Sequence, residues 1–280
     1  MKTSIYHIAY SPENKEAALF FWGCNIDCRG CYCKRRVYSP MLKDFVGAHL
    51  KDPQGIVEPP NSFLSFEETM NILSKVELKS VILEGQEASI DPIYPLITET
   101  LHKEFGSYNT LLTNGLTLPD LSHTDKVEIG IKAVTDSIHH YYTGVSNAPI
   151  LDNIVKLYNA GKKLLIESVL IPGLIEADEI ERVAKYVAEI DKNIPFIILP
   201  YFKSGDNPWR RPNPKEMEKA AKLTKRHLKS VFFFRGDETL DFEVESLFPE
   251  DIEQLLQQIQ HKEDDEILLS LEQGKIPCPA

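Results

Sequence analysis

The sequence predicts an α/β protein, a partial (β/α)6 TIM-type barrel with a C-terminal helical extension, on three observations. Short apolar runs alternate with longer amphipathic stretches, the pattern of a parallel sheet wrapped by helices. The apolar runs up to residue 199 number six, too few for a closed eight-stranded barrel. Beyond residue 236 the chain turns acidic and glutamine-rich, with a helical run at 249–260. These shifts divide it into a barrel domain, residues 1–236, and an acidic C-terminal extension, residues 237–280.

In chain order, Ala18-Phe21 is the first predicted strand and runs into a glycine- and cysteine-rich loop. A helix over Ser65-Ser74 follows, marked by Ser65 ahead of Glu67 and Glu68. The second strand is Ser80-Leu83 and its helix Ile93-Phe105. Tyr108-Leu112 and Val127-Ile131 are the third and fourth strands, and Ala148-Ala160 is a helix stopped by Gly161. Leu164-Leu170, the helix Ala177-Ile190, the strand Phe196-Leu199 and the helix Pro214-Leu228 complete the pattern, Pro214 suiting a first helical turn. Lys229-Gly236 reads as one more strand. The connection from Lys34 to Asn61, including Pro40-Phe45, exceeds the about fifteen residues beyond which a loop inside a domain is usually functional, and is expected to cover the mouth of the barrel.

Composition sets outer limits. The chain has 280 residues and 42% hydrophobic content, enough for a full core. No apolar run approaches the about 18 residues that suggest a membrane span. A formal charge of −11 opposes nonspecific nucleic-acid binding, which draws on Lys and Arg against phosphate. No secretory pattern opens the sequence, so reduced thiols in a cytoplasmic, anaerobic setting are expected.

Chemistry concentrates in Cys24, Cys28, Cys31 and Cys33. The first three have the spacing C-x3-C-x2-C directly after the first strand. A four-iron cubane normally takes four thiolates, so a loop offering three leaves one iron open to a small molecule. Two other readings stay open. Structural zinc draws its ligands from two separated pairs, and no second Cys-x-x-Cys or His pair is present. A saturated cluster would need Cys33, two residues from Cys31. In parallel barrels the loops after the strands build the active site. That places Glu87, Asn114 and Lys132, which follow the second, third and fourth strands, beside the cysteines.

Phe20-Phe21-Trp22-Gly23-Cys24 with Cys28, Cys31 and Tyr32 resembles the radical S-adenosylmethionine superfamily, and is similar more narrowly to the activating enzymes of glycyl-radical proteins, such as the activase of pyruvate formate-lyase. Ser80-Ala88 resembles the Gly-Gly-Glu motif after the second strand, and Tyr108-Gly115 the Thr-Asn-Gly ending of the third. The stretch from Val127 through Lys132, His139 and Thr143-Asn147 to Val169-Gly173 resembles the activases most, and Leu199-Phe202 stands where they have Leu-Pro-Tyr-His. The resemblance implies a 4Fe-4S cluster on Cys24, Cys28 and Cys31, with S-adenosylmethionine on the open iron. It implies Glu87 at the methionine ammonium, Asn114 and Lys132 as polar contacts to the cofactor, and Tyr32 beside the adenine. It implies an electron from ferredoxin or flavodoxin, and a 5'-deoxyadenosyl radical that abstracts hydrogen from a protein substrate. A small metabolite or nucleoside precursor is the alternative substrate, and a non-catalytic iron-sulfur electron-transfer protein the alternative class.

Departures from the pattern are Gly30 for an aromatic before the third cysteine, Gln86 for the second glycine of Gly-Gly-Glu, Gly130 for Asp, Glu167 for Arg and Phe202 for His. His139 and His140 read as surface and packing residues, and Cys33 as a free thiol. Pro200, Pro208, Pro212 and Pro214 with Trp209, Arg210 and Arg211 form a stiff basic loop, fit for a substrate segment or for closing the barrel.

Overall fold

The frame of the molecule is a nine-stranded mixed sheet. It is seen in a computed structural model that describes residues 1–36, 38–42, 52–236, 238 and 241–250. Strands β1 (Ile5–Ser11) and β2 (Glu16–Phe21) form an antiparallel hairpin. From β2 onward the strands run parallel and in sequence order: β3 (Ser80–Gly85), β4 (Tyr108–Thr113), β5 (Lys126–Gly130), β6 (Lys163–Leu170), β7 (Phe196–Pro200) and β8 (Val231–Phe233). Strand β9 (Glu245–Phe248) returns to pair antiparallel with β1. The α/β expectation holds, and all six predicted strands are present, with Val231–Phe233 as a shorter seventh parallel strand.

Alternation within the strands separates two faces. Val81, Leu83, Val127, Ile129, Ile166, Phe196 and Ile198 are fully buried against the helical layer, each contributing about 1.5–3 kcal/mol through burial. Their neighbours Ile82, Glu84, Glu128, Leu165, Glu167 and Ile197 lie on the other face. The helices are α1 (Phe66–Leu73), α2 (Tyr94–Phe105), α3 (Asp136–Thr143), α4 (Ala148–Asn159), α5 (Ala177–Ile190) and α6 (Pro214–Thr224).

Local chemistry explains several boundaries. Ser65 Oγ accepts from the Glu68 amide while Glu68 Oε2 accepts from the Ser65 amide, a reciprocal cap on α1. Asn213 and Glu216 repeat it on α6, with Pro214 in the first turn. The predicted C-terminal part of that helix is a turn instead, with His227 N–H and Leu228 N–H both on the Thr224 carbonyl. Sequence reading missed β1, β9 and α3. Every residue of β1 is buried, so its pattern lacks the alternation that marks a half-buried strand. The eight residues of α3 include two histidines and two tyrosines and no apolar stripe.

The described parts of the long connection cross the molecule. Tyr38, Leu42 and Val57 pack with Tyr6, Phe20 and Trp22. Gly205 N–H donates to the Pro53 carbonyl at 2.7 Å, and Arg211 pairs with Asp52 at 2.8 Å. The basic loop after β7 and this connection therefore close on each other. Lys43 to Phe45 of the predicted covering segment, residues 251–260 of the helical run at 249–260 and Cys278 lie outside the described residues. Among the described residues, no helix is long and apolar enough to cross a membrane.

Candidate active site around the cysteine loop

The cysteine loop leaves β2 through Gly23, whose φ of +97° needs a residue without a Cβ. Gln86 secures the start of the loop, its Oε1 accepting from the Gly23 amide at 3.2 Å, which gives a role to a side chain where the motif has glycine. Further along, Asp27 N–H and Arg29 N–H donate to the Thr143 and Tyr142 carbonyls, both at 2.9 Å. The loop is thus tied to the last turn of α3 on both sides of Cys28. Arg35 donates to the Cys31 carbonyl at 3.0 Å, Ser204 Oγ to that of Gly30 at 2.9 Å, and Lys34 pairs with Asp27 at 2.5 Å.

Cys24, Cys28, Cys31 and Cys33 are all free and half-buried. Among the described residues no three acidic, thiol or imidazole groups converge closely enough to grip a single ion, which disfavours a tetrahedral zinc site. Cys24, Cys28 and Cys31 nonetheless lie near enough for their charges to act on one another. Three thiols near one another but too spread to grip one ion suit a larger group. Cys33 is paired with Cys31, and its other charged neighbours are Glu84 and Lys132. Burial pushes the Cys28 thiol up to about 12, so its ionised state would have to be supplied by metal binding itself. Cys31 is held low by the hydrogen bond with Cys33.

The predicted polar residues meet this loop in different ways. Glu87 is 1% exposed, and both its oxygens are engaged: Oε1 by Ser89 N–H at 3.1 Å and Thr113 Oγ1 at 2.7 Å, Oε2 by Asn114 N–H at 2.8 Å. It braces the end of β3 to the end of β4, leaving about one of a carboxylate's four acceptor positions free. Asn114 ties directly to the cysteine loop. Its Nδ2 donates to Asn25 Oδ1 at 2.7 Å and approaches Cys24 Sγ at 3.7 Å. A continuous chain of hydrogen bonds thus joins Cys24, Asn114 and Glu87 across three strand ends. Tyr32 packs at a tilt on Phe202, ring centroids 5.9 Å apart, and the Arg211 guanidinium covers Phe202 from 5.5 Å.

Lys132 stands after β5 with no ion-pair partner for its ammonium among the described residues. A Cβ on Gly130 would lie 3.0 Å from Glu167 Oε1 and 3.2 Å from Lys132 Nζ. The two departures are neighbours, since Glu167 and Lys132 extend into the space a side chain at position 130 would enter. His139 is buried, not superficial, with Nδ1 near the Val145 carbonyl and Thr143 Oγ1. His140 is exposed and lines an open cavity of about 840 Å³ between α3 and the loop, with Asp27, Cys28, Arg29, Lys34, Arg35 and Tyr141.

Sequence reading missed Glu84, one residue before the Gly85-Gln86-Glu87 segment. Its signal was a carboxylate at an inward position of a strand that is otherwise apolar. Burial, followed by the charges of Glu167, Glu128 and Glu16, pushes its carboxyl up to about 8, and burial raises Glu167 to about 7. A raised carboxyl binds protons more tightly when folded, so stability falls as pH rises from the unfolded value of 4.5 through about 8. Glu84→Gln is therefore expected to match wild type in thermal melts at about pH 5, and to melt about 2–6 °C higher at about pH 9. Equal melting points at both pH values would refute this.

The profile of the Radical SAM superfamily matches residues 19–187, more than half of the chain. A protein of Methanocaldococcus jannaschii, whose name assigns it provisionally to the glycyl-radical enzyme activating enzymes, is 28% identical over 243 residues, covering 81% of this chain and 82% of that protein. The pyruvate formate-lyase-activating enzyme of Streptococcus mutans is 32% identical over 142 residues, 46% of this chain and 54% of its own. Among solved structures, TYW1 with a lysine-pyruvate adduct bound superposes with a TM-score of 0.53 at 16% identity, over 86% of this chain and 83% of that one. Native anSMEcpe with bound AdoMet gives 0.53 at 17% identity, over 75% and 61%. These two likenesses concern the fold.

Proposed function

The chain belongs to the radical SAM superfamily, and on that premise we propose that Cys24, Cys28 and Cys31 hold a 4Fe-4S cluster at which S-adenosylmethionine is reductively cleaved, with a protein as substrate. Bound there, these groups supply one-electron cleavage of the sulfonium to a 5'-deoxyadenosyl radical that takes hydrogen from an unactivated carbon. The protein supplies position and dryness.

In this reading Asn114 fixes the loop beside Cys24 and Glu87 fixes Asn114, so the mouth keeps its shape before any ligand arrives. Lys132 offers an ammonium beside Glu167, without an ion-pair contact among the described residues, for the cofactor's anionic or hydroxyl groups. Tyr32 and Phe202 offer an aromatic wall for its base. The packed rings of Tyr6, Phe20, Trp22 and Tyr38 exclude water on the β1–β2 side. A low-potential donor of the ferredoxin or flavodoxin type delivers the electron, in a cytoplasmic, anaerobic setting. The reading is supported above all by the chain of hydrogen bonds from Cys24 through Asn114 to Glu87, which gathers the ends of β2, β3 and β4 at the three thiols. The choice of a protein substrate is supported by similarity to activating enzymes.

Anaerobic reconstitution with iron, sulfide and dithionite tests it. Wild-type protein is expected to release 5'-deoxyadenosine from S-adenosylmethionine and, in a protein extract, to generate a glycyl-type radical signal in electron paramagnetic resonance. Absence of 5'-deoxyadenosine would overturn the enzymatic reading. A new low-molecular-weight product without a protein radical would transfer the substrate to the small-molecule class.

A further inference from the structure

Gly30, immediately before the third cysteine, faces two phenols. A Cβ there would stand 2.6 Å from the Tyr201 hydroxyl and 3.1 Å from that of Tyr142. The rings therefore occupy the room that a side chain at position 30 would need. They come from distant elements, one from α3 and one from the residue after β7.

The two hydroxyls are bonded differently. That of Tyr201 accepts from Asn207 Nδ2 at 2.9 Å and from the Ser204 amide at 3.4 Å. That of Tyr142 has no hydrogen-bond partner among the described residues, and although the residue is only 4% exposed, its oxygen keeps some accessible surface. A phenol that is nearly buried and unpaired keeps its donor available to a group bound beside it. The ring is firmly held: its backbone carbonyl takes the Arg29 amide at 2.9 Å, and Trp209 packs on it with centroids 5.5 Å apart. Cys28 and Cys31 are the thiols close enough for their charge to act on the Tyr142 hydroxyl.

We propose that the Tyr142 hydroxyl donates a hydrogen bond to sulfur of the cluster held by Cys28 and Cys31, and thereby raises its reduction potential. The inference rests on the iron-sulfur reading above. A phenol O–H is a donor, and sulfur in such a site is a weak acceptor that grows stronger as negative charge accumulates on reduction. A donor fixed before the electron arrives stabilises the reduced state more than the oxidised one. Tyr142 is in these terms a positioning residue that acts on potential, not on substrate.

The test compares wild type, Tyr142→Phe and Tyr201→Phe after anaerobic reconstitution, by iron and sulfide content and by a redox titration followed with electron paramagnetic resonance. Tyr142→Phe is expected to bind as much iron as wild type and, since it loses an unpaired group, to melt no lower. At the potential that half-reduces wild type, its reduced-to-oxidised ratio should be about tenfold lower, equivalent to about 59 mV for a one-electron couple. Tyr201→Phe, whose hydroxyl already serves Asn207 and Ser204, should keep the wild-type potential. An unchanged potential in fully loaded Tyr142→Phe overturns the inference, because the hydroxyl is then electronically idle. Failure of that variant to load iron also overturns it, because the hydroxyl then builds the loop. A wild type without a four-iron cluster would instead overturn the reading on which the inference rests.

Discussion

Cys28→Ala is expected to lower 5'-deoxyadenosine formation by at least ~100-fold, to the level of a protein-free control, with loss of most of the bound iron. Cys33→Ala is expected to keep both within about twofold. The contrast follows from where the thiols lie. Cys28 lines the cavity beside α3 and shares its electrostatic surroundings with Cys24 and Cys31. Cys33 lies beside Cys31, with Glu84, Lys132, Tyr6 and Tyr32 as its other electrostatic neighbours. A saturated electron-transfer cluster predicts the reverse for Cys33, whose removal would strip a ligand. Iron content and product yield of the two variants, measured side by side, decide between these outcomes. Equal loss in both would remove the three-thiolate site.

Gly85→Ala should be the most damaging single methyl group in the barrel. A Cβ there would sit 2.6 Å from the Phe21 nitrogen and 2.8 Å from its oxygen, at a φ of +108°. Both atoms are backbone in the directly paired strand, so nothing flexible can yield. A loss of about 3 kcal/mol or more is expected, or roughly 6–12 °C in melting temperature for a domain of this size. Gln86 N–H donates to the Phe21 carbonyl at 3.0 Å, so the same methyl would displace Gln86 and its hold on Gly23. Gly144→Ala is the control. Its φ is +82° but a Cβ there meets nothing within 4 Å, so only the conformational cost of about 1 kcal/mol applies. Similar melting points for the two variants would show that strand contact is not what demands glycine at position 85.

What was legible in the sequence depended on the range of the interaction. The helix Ala177–Ile190 was readable to the residue because its apolar positions repeat along one stretch of chain. The strands between Ser80 and Leu170 were readable to within one or two residues at their ends, and the cysteine spacing directly. Glu87 and Asn114 were found through a motif, but the bond between them spans 27 residues and was not visible in either segment alone. Gly130 and Glu167 looked like two unrelated departures, but they are register partners on β5 and β6, and the Glu167 carboxylate reaches into the space beside position 130. Tyr142 and Tyr201 belong to the same class. Nothing in residues 139–142 announces that one of two adjacent tyrosines turns inward onto a loop more than a hundred residues earlier.

The late strand β9 has a consequence for how the chain comes to be folded at all. His7 Nδ1 meets the Phe248 carbonyl at 2.6 Å across a separation of 241 residues. While a ribosome is still delivering the middle of the chain, the outer rim of β1 has no partner, and bare strand rims invite pairing with other molecules. Long-range pairing of this kind is also slow to form. Newly made protein therefore passes through an interval of exposure that ends only when residues 245–248 arrive, and holding chaperones have their window there.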